Sequence, residues 1–238
     1  MESKKKVKKN AGRPCFSRYL FISILALSLV SSIFISAFSS VTFNRAYYEH
    51  QFAKRFSGNA LQYFLGLNDA VLMYLENNKA MSALDDSQFS AREISHMADV
   101  KGLMRKIILF GISSAMAVLL SGLMLFRLNQ NNEGVNNFTR DLANALRLAS
   151  YAVALIVLII LVLSLNFDAF FTSFHLAAFS NDNWLLDENS LLITMYPENF
   201  FLMTFMHILL IAVVHAFALY CLARILRNFG SSKIKKHK

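Results

Sequence analysis

The sequence predicts an all-α membrane protein with four transmembrane helices, both termini on the cytoplasmic side and a small helical cap outside the membrane. Hydrophobic residues fill 55% of its 238 positions, and the mean hydropathy is +0.42, which is too apolar for an ordinary soluble domain. Charged residues lie mainly between a few apolar runs, each long enough to cross a bilayer as a helix. The predicted spans are residues 19–43, 103–126, 148–165 and 200–226.

Positive charge orients these spans. Of the 24 Lys and Arg residues, 16 lie at or beside the two chain ends and the middle loop, whereas residues 166–199 contain none. Because short basic segments stay in the cytoplasm, we expect both termini there, and we expect residues 44–102 and 166–199 outside the membrane. The predicted cytoplasmic segments are residues 1–18, 127–147 and 227–238.

The first span is predicted to be an uncleaved anchor helix. Its apolar run is longer than that of a signal peptide and lacks a cleavage site with small residues. Serines recur at every fourth position, and small side chains on one face let helices approach closely. We therefore expect this face to serve helix packing. The serines are Ser28, Ser32, Ser36 and Ser40.

The segment after the first span has mixed charge and a helical pattern of apolar positions, which predicts an amphipathic helix over residues 59–77. A second helix is predicted to begin after Ser90, because Ser90 and Glu93 have the spacing of a capping box. On this helix Glu93, His96 and Asp99 recur at every third position and fall near one face. A carboxylate there is placed to orient and polarise the imidazole.

The loop between the third and fourth spans is acidic and contains His175 and the single tryptophan, Trp184. Interfacial tryptophans usually anchor a protein at the headgroup level, and we expect this role of Trp184 ahead of substrate contact. Within the fourth span, His207 is a candidate accessory residue, because intramembrane histidines are functional candidates by default. The carboxylates of the loop are Asp182, Asp187, Glu188 and Glu198.

Several function classes lack their usual sequence patterns. No G-x-S-x-G, H-E-x-x-H or Walker motif occurs, so serine hydrolases, zincins and nucleotide-driven pumps are set aside. Arginines cluster at the membrane edges and not among aromatic residues, so no nucleic-acid partner is expected. Cys15 and Cys221 lie at predicted cytoplasmic ends, where thiols stay reduced, and no disulfide is expected.

His96 and His175 are the candidates for chemistry. Both are predicted at the outer membrane boundary, and histidine exchanges a proton near neutral pH without much tuning. Either residue alone is equally well explained as a hydrogen-bonded structural histidine. Two of them, each beside carboxylates at the same membrane depth, favour a catalytic pair.

Two motifs contain these histidines. The first is FSAREISHMADV, residues 89–100. The second is marked by Phe174, His175, Phe179, Trp184, Tyr196, Pro197 and Glu198. Together they resemble the lipoprotein intramolecular transacylase family, Lit, of Gram-positive bacteria, and the similarity extends over nearly the whole chain.

The resemblance implies an acyltransferase of the bacterial cell membrane with its active site on the outer side. The implied substrate is a lipoprotein whose N-terminal cysteine bears an S-diacylglyceryl group and a free amine. The sn-2 acyl chain moves onto that amine and gives the N-acyl, S-monoacylglyceryl lyso form. The implied partners are this lipoprotein and membrane lipids, with no external acyl donor, cofactor or metal.

The resemblance also implies a site. His96 is the expected general base, oriented by Glu93 or Asp99, and His175 is expected to stabilise the oxyanion or protonate the departing glycerol oxygen. These two roles are exchangeable. Attraction of the substrate ammonium is one interpretation of the acidic loop, and a solvated loop face explains its carboxylates at least as well. The supporting residues are Glu93, Asp99, Asp182, Trp184, Tyr196 and Glu198.

Two interpretations from other classes remain open. A metal-dependent membrane hydrolase would use His96, Asp99, His175 and Asp182 as nitrogen and oxygen ligands, although their spacing is not a recognised metal pattern. A non-catalytic scaffold would bind a partner protein through the acidic loop.

Overall fold

The computed structural model describes residues 13–76, 84, 88–130 and 135–235. Within these residues the chain forms helices and no strand. The helices are α1 (Arg13–Thr42), α2 (Arg45–Ala53), α3 (Gly58–Glu76), α4 (Ala91–Asn129), α5 (Val135–Leu163), α6 (Phe167–Ala178), α7 (Leu191–Met195) and α8 (Glu198–Lys235).

Four of these helices are long and apolar enough to cross a membrane, which confirms the predicted all-α fold with four spans. In the most apolar 18-residue stretch of each helix, only 11% to 33% of the residues are buried. Most of these side chains therefore face outwards. Large exposed side chains such as Leu119 and Phe217 are stable in hydrocarbon and not in water. The cytoplasmic location of both termini stays a prediction. The candidate spans are Phe16–Thr42, Ala91–Asn129, Asn137–Leu163 and Glu198–Asn228.

Two helices are longer than the apolar runs alone suggest. The helix predicted after Ser90 and the second span are one uninterrupted element, α4, of 39 residues. At 1.5 Å per residue it is about 58 Å long, against about 30 Å of hydrocarbon. α5 begins at Val135, so residues 135–147 of the predicted connector are helical. Neither segment contains a proline, so nothing in the backbone forces a break.

The chain packs as two compact units. The first comprises Met1–Phe34, Gly111–Leu158 and Ile211–Lys238. Its described part contains stretches of α1, α4, α5 and α8. Apolar side chains of the first three helices form one of its core clusters, and their close packing stabilises the unit. The buried members of the cluster are Ile22, Leu25, Leu125 and Ala145.

A buried ion pair also lies in the first unit. Asp141 is 2% exposed, and its carboxylate accepts hydrogen bonds from Nε of Arg18 at 2.5 Å and Nη2 at 2.6 Å. The side-chain amide of Asn129 donates a third bond to this carboxylate at 3.0 Å. Because a buried charge is tolerated only with partners, these bonds join α1, α4 and α5 in one arrangement.

The second unit comprises Ile35–Phe110 and Ile159–Leu210. It contains every residue that the sequence places in or beside the site. Three of its helices begin at residues whose side chains accept a hydrogen bond from a backbone amide, which satisfies a free N–H of the first turn. These N-cap residues are Asn44 for α2, Asn166 for α6 and Ser190 for α7.

Local sequence signals of the second unit are confirmed. The amphipathic helix predicted over residues 59–77 is α3. The capping box at the start of α4 is complete: the backbone N–H of Ser90 donates to Oε2 of Glu93 at 2.7 Å, and the backbone N–H of Glu93 donates to Oγ of Ser90 at 3.3 Å. This reciprocal pair determines where α4 begins.

Candidate active site

The structure brings the two predicted histidines together within the second unit. His96 lies on the first turns of α4, and His175 lies near the end of α6. Their ring centroids are 6.0 Å apart, and their planes are inclined by 37°. Two imidazoles at this separation are able to contact the same small reacting group.

A backbone hydrogen bond determines the tautomer of His175. Its Nδ1 lies 2.8 Å from the carbonyl oxygen of Phe171, one turn earlier on α6. A carbonyl oxygen only accepts, so Nδ1 carries the proton of the neutral ring and Nε2 keeps its lone pair. His175 is therefore held as an imidazole whose Nε2 accepts protons.

Aromatic rings surround the pair. Trp184 stacks on His175 with centroids 5.0 Å apart and planes at 29°. Phe171 contacts the same ring at 4.2 Å, and Phe179 contacts His96 at 5.3 Å and His175 at 5.8 Å. Burial lowers the pKa of His175 below its ordinary value, while the hydrogen bond to Phe171 acts in the opposite direction. The neutral ring is therefore the dominant form at neutral pH.

Two buried nitrogen atoms at this site have no hydrogen-bond partner among the residues that the structure describes. They are Nδ1 of His96 and Nε1 of Trp184. A buried polar atom without a partner costs about 1–3 kcal/mol, and its presence in a native fold requires an explanation. A polar group of a bound substrate is the explanation that the neighbouring His175 favours.

The carboxylates on the same face of α4 bind the loops instead of His96. Oε1 of Glu93 accepts from the backbone N–H of Leu192 at 2.8 Å, while its other oxygen belongs to the capping box. Asp99 accepts from the side-chain amide of Asn181 at 3.0 Å. Within the described chain neither carboxylate hydrogen-bonds to His96, so the predicted orientation of His96 by a carboxylate is not seen.

The loop after α6 supplies residues that the sequence analysis did not select. Asn183 donates to Oγ of Ser95 at 2.9 Å and lies at 3.5 Å from Asp99. Arg92 donates to the carbonyl oxygen of Leu185 at 3.1 Å. These bonds hold the loop against α4 and thereby place Trp184 over His175. The sequence signal was available, since the run SNDN precedes Trp184 and Asn side chains readily bond nearby groups.

The remaining predicted residues have contacts with groups other than His96 and His175, or are exposed. The hydroxyl of Tyr196 donates to Oδ1 of Asn68 at 2.9 Å, and burial raises the pKa of Tyr196 well above its usual value. Asp182 and Glu198 are exposed. His207 contacts the ring of Tyr47 at 5.3 Å. Tyr196 thus has a packing role in this arrangement, and the two carboxylates have solvated positions.

The ligand set of the metal interpretation is not assembled. In the part of the chain that the structure describes, no three His, Cys, Asp or Glu side chains are grouped so that they could hold a metal ion. Asp99 bonds to Asn181 instead, and Asp182 is exposed.

These observations define a polytopic all-α membrane protein with a paired-histidine site lined by aromatic rings. The family model described as lipoprotein intramolecular transacylase Lit matches residues 18–201, which is most of the chain. The chain belongs to the Lit family, and it is therefore a membrane acyltransferase of the transacylase type.

Solved structures share the fold. The chain is similar to the membrane-integral lipoprotein intramolecular transacylase Lit from Bacillus cereus, with a TM-score of 0.69 and 24% identity over 94% of this chain and 100% of that one. Two variants of that protein, in which a histidine is replaced by arginine or alanine, match with TM-scores of 0.70 and 0.72 at 22% identity. These matches cover 94% and 97% of this chain and 96% and 100% of the variants. No curated protein sequence matches the chain.

Proposed function

We propose that this protein moves the sn-2 acyl chain of an S-diacylglyceryl-cysteine lipoprotein onto the α-amine of the same cysteine. The contact between His96 and His175 is the observation that carries the proposal, because it places two proton-handling rings at one buried, aromatic-lined centre. The Lit family supplies the class of substrate, a lipoprotein.

The reaction needs no co-reactant. The amine nitrogen forms a bond to the carbonyl carbon of the sn-2 ester, and the bond from that carbon to the glycerol oxygen breaks. The amine loses a proton and the glycerol oxygen gains one. An ester becomes an amide, and the product is the N-acyl, S-monoacylglyceryl lyso form. Because donor and acceptor share one molecule, correct positioning supplies much of the rate enhancement.

His175 is the better candidate for the general base. Its Nδ1 is bonded to the carbonyl of Phe171, so Nε2 has the lone pair that removes a proton from the substrate amine. The ammonium form of an α-amine has a reference pKa of about 7.7–8.0, so it first releases one proton to solvent, and His175 takes the second proton from the nitrogen as the new bond forms. The resulting imidazolium then protonates the departing glycerol oxygen. This assignment exchanges the roles that were first expected for the two histidines.

His96 and Trp184 are the candidates for oxyanion stabilisation. Nε1 of Trp184 is always a donor, and Nδ1 of His96 donates when it carries the ring proton. Both atoms are buried and unpaired in the described structure, and both rings contact the imidazole of His175. Donors aimed at developing negative charge in a dry site are among the strongest contributions to catalysis.

The proposed location is the bacterial cell membrane, with the histidine pair on the outer side. The lysine-free acidic loop supports this orientation through the positive-inside rule. Exposed apolar side chains of the spans are in contact with membrane lipids in this arrangement.

Replacing His96 and His175 separately by Gln tests the proposal. Each variant is expressed at equal level in cells that lack the native enzyme, and the N-termini of their lipoproteins are analysed by mass spectrometry. We expect loss of the lyso form in both variants. His50→Gln is the matched control, since His50 is exposed on α2 and lies outside the proposed site. If both site variants still produce the lyso form at an undiminished level, the assignment of His96 and His175 to this reaction is wrong.

A further inference from the structure

The first unit contains a cavity of about 220 Å³ between α5 and α8. Its lining includes the arginines Arg147, Arg224 and Arg227 and the tyrosines Tyr151 and Tyr220. Two alanines complete the wall, and their small side chains leave room between the helices. Within the described part of the chain no acidic residue lines it. The lining residues therefore carry an excess of positive charge.

The α5 side of the cavity continues into an apolar stripe. Arg147, Tyr151, Leu155 and Leu158 follow one another at spacings of four, four and three residues, which places them on one face of the helix. Leu155 and Leu158 are each 58% exposed. The face thus presents a charged group first, an aromatic ring next and exposed aliphatic side chains last. This order is found where a helix passes through a membrane interface.

α8 repeats this order in the opposite chain direction. Arg224, Tyr220, Phe217 and Val213 lie on one face at similar spacings, and Phe217 and Val213 are among the exposed apolar residues. The rings of Tyr151 and Tyr220 contact each other at 6.1 Å. The two stripes therefore run side by side, with the arginines at one end and the hydrocarbon surface beyond the tyrosines.

We propose that this cavity binds the phosphate headgroup of an anionic phospholipid, whose acyl chains lie along the two apolar stripes. Planar guanidinium groups match phosphate oxygens with paired hydrogen bonds. Arg147 is oriented by a bond from its Nη2 to Oδ1 of Asn144 at 3.2 Å, and a guanidinium has five N–H donors in all. Basic pockets between membrane helices on the cytoplasmic side are suited to anionic headgroups.

The stripes distinguish a lipid from a free phosphate ester. A soluble phosphate would use only the arginines and would leave the adjoining apolar faces without a role. A phospholipid uses both features, because its headgroup and acyl chains are joined at the depth where Tyr151 and Tyr220 lie. The site is independent of the histidine pair, so its test does not depend on acyl transfer.

Native mass spectrometry of the full-length protein in mild detergent tests this inference. The probes are phosphatidylglycerol, phosphatidylcholine and soluble glycerol 3-phosphate. We expect phosphatidylglycerol to bind best, and Arg147→Gln/Arg224→Gln to weaken its binding about tenfold or more, since hydrogen bonds to charged groups are strong. The control is Arg127→Gln/Arg140→Gln, which removes equal charge at two exposed positions outside the cavity and is expected to lose less than about twofold.

Three results overturn the proposal. The first is unchanged phosphatidylglycerol affinity in the cavity variant, and the second is an equal loss in the control, which indicates general charge attraction only. The third is competition by glycerol 3-phosphate at the concentration of the lipid, which assigns the cavity to a soluble ester. Should the double variant fail to purify, Arg224→Gln alone, at an exposed position, is measured against Arg127→Gln with the same criteria.

Discussion

Two buried polar clusters of this protein differ in how completely they are hydrogen-bonded. In the first unit, Arg18, Asp141 and Asn129 satisfy one another. In the second unit, His96 and Trp184 each keep a buried nitrogen without a partner in the described structure. A satisfied network fixes one arrangement of helices, whereas unpaired atoms retain the capacity to bind a substrate. The two clusters therefore differ in the state of their hydrogen bonds, and the proposed function uses the unpaired atoms of the second cluster.

The largest effect is expected from Asp141→Ala. This change removes the partner of Arg18 and the acceptor of Asn129, and breaking a buried pair costs about 3–5 kcal/mol. We expect the lower end, because the Arg18 side chain is 27% exposed. Thermal unfolding in detergent measures the loss.

Asp69→Ala is the matched control for this comparison. Asp69 pairs with Arg45 at 2.9 Å, but both side chains are 53% exposed, and such pairs contribute about 0–1 kcal/mol. Equal losses in the two variants would contradict the structural role of the first cluster.

Trp184→Phe is expected to lower the transacylation rate about 10²-fold with little change in unfolding temperature. Phenylalanine keeps a ring over His175 and removes the N–H, and one oxyanion donor is worth about 10²–10³ in rate. The rate is measured with a synthetic diacylated lipopeptide at saturating concentration. A variant that keeps its rate, or loses only substrate affinity, would show that Trp184 packs and does not donate.

Glu93→Gln is expected to destabilise the second unit by about 1–3 kcal/mol, because the charged acceptor of two backbone amides is lost. The control Glu198→Gln lies at an exposed position and is expected to change little. The pH profile of activity supplies a second readout. If Glu93 acted by orienting His96, the acid limb of that profile would move while stability stayed constant.

The smallest effect on activity and stability is expected from a change of pH. Burial lowers the pKa of His175 in the folded protein, so the neutral base persists below the ordinary histidine range. The part of the acid limb that belongs to this base therefore lies below about pH 6.5, and protonation of the substrate amine acts at higher pH. For the same reason the unfolded chain binds a proton first as pH falls, and the folded state loses stability below about pH 6.5 until its own pKa is passed. In His175→Gln this increment of acid destabilisation is expected to be absent.

Much of the fold was predictable because its signals are local. The four apolar runs, the capping box of Ser90 and Glu93 and the amphipathic pattern of α3 each depend on residues within a few turns of one another. The continuity of α4 was less evident, because the charged first turns and the apolar remainder have different compositions. Composition reports the environment of a helix and not where it ends.

The sequence alone determined the class of protein and selected the two candidate histidines, since hydropathy and motifs are properties of the chain. Only the tertiary structure decided their partners. It paired Nδ1 of His175 with the carbonyl of Phe171 and assigned Glu93 to backbone amides. Among the described residues it also left Nε1 of Trp184 buried and without a hydrogen-bond partner beside the imidazole. Hydrogen bonds depend on distances of about 3 Å between atoms, and residues far apart in sequence acquire such distances only when the helices pack.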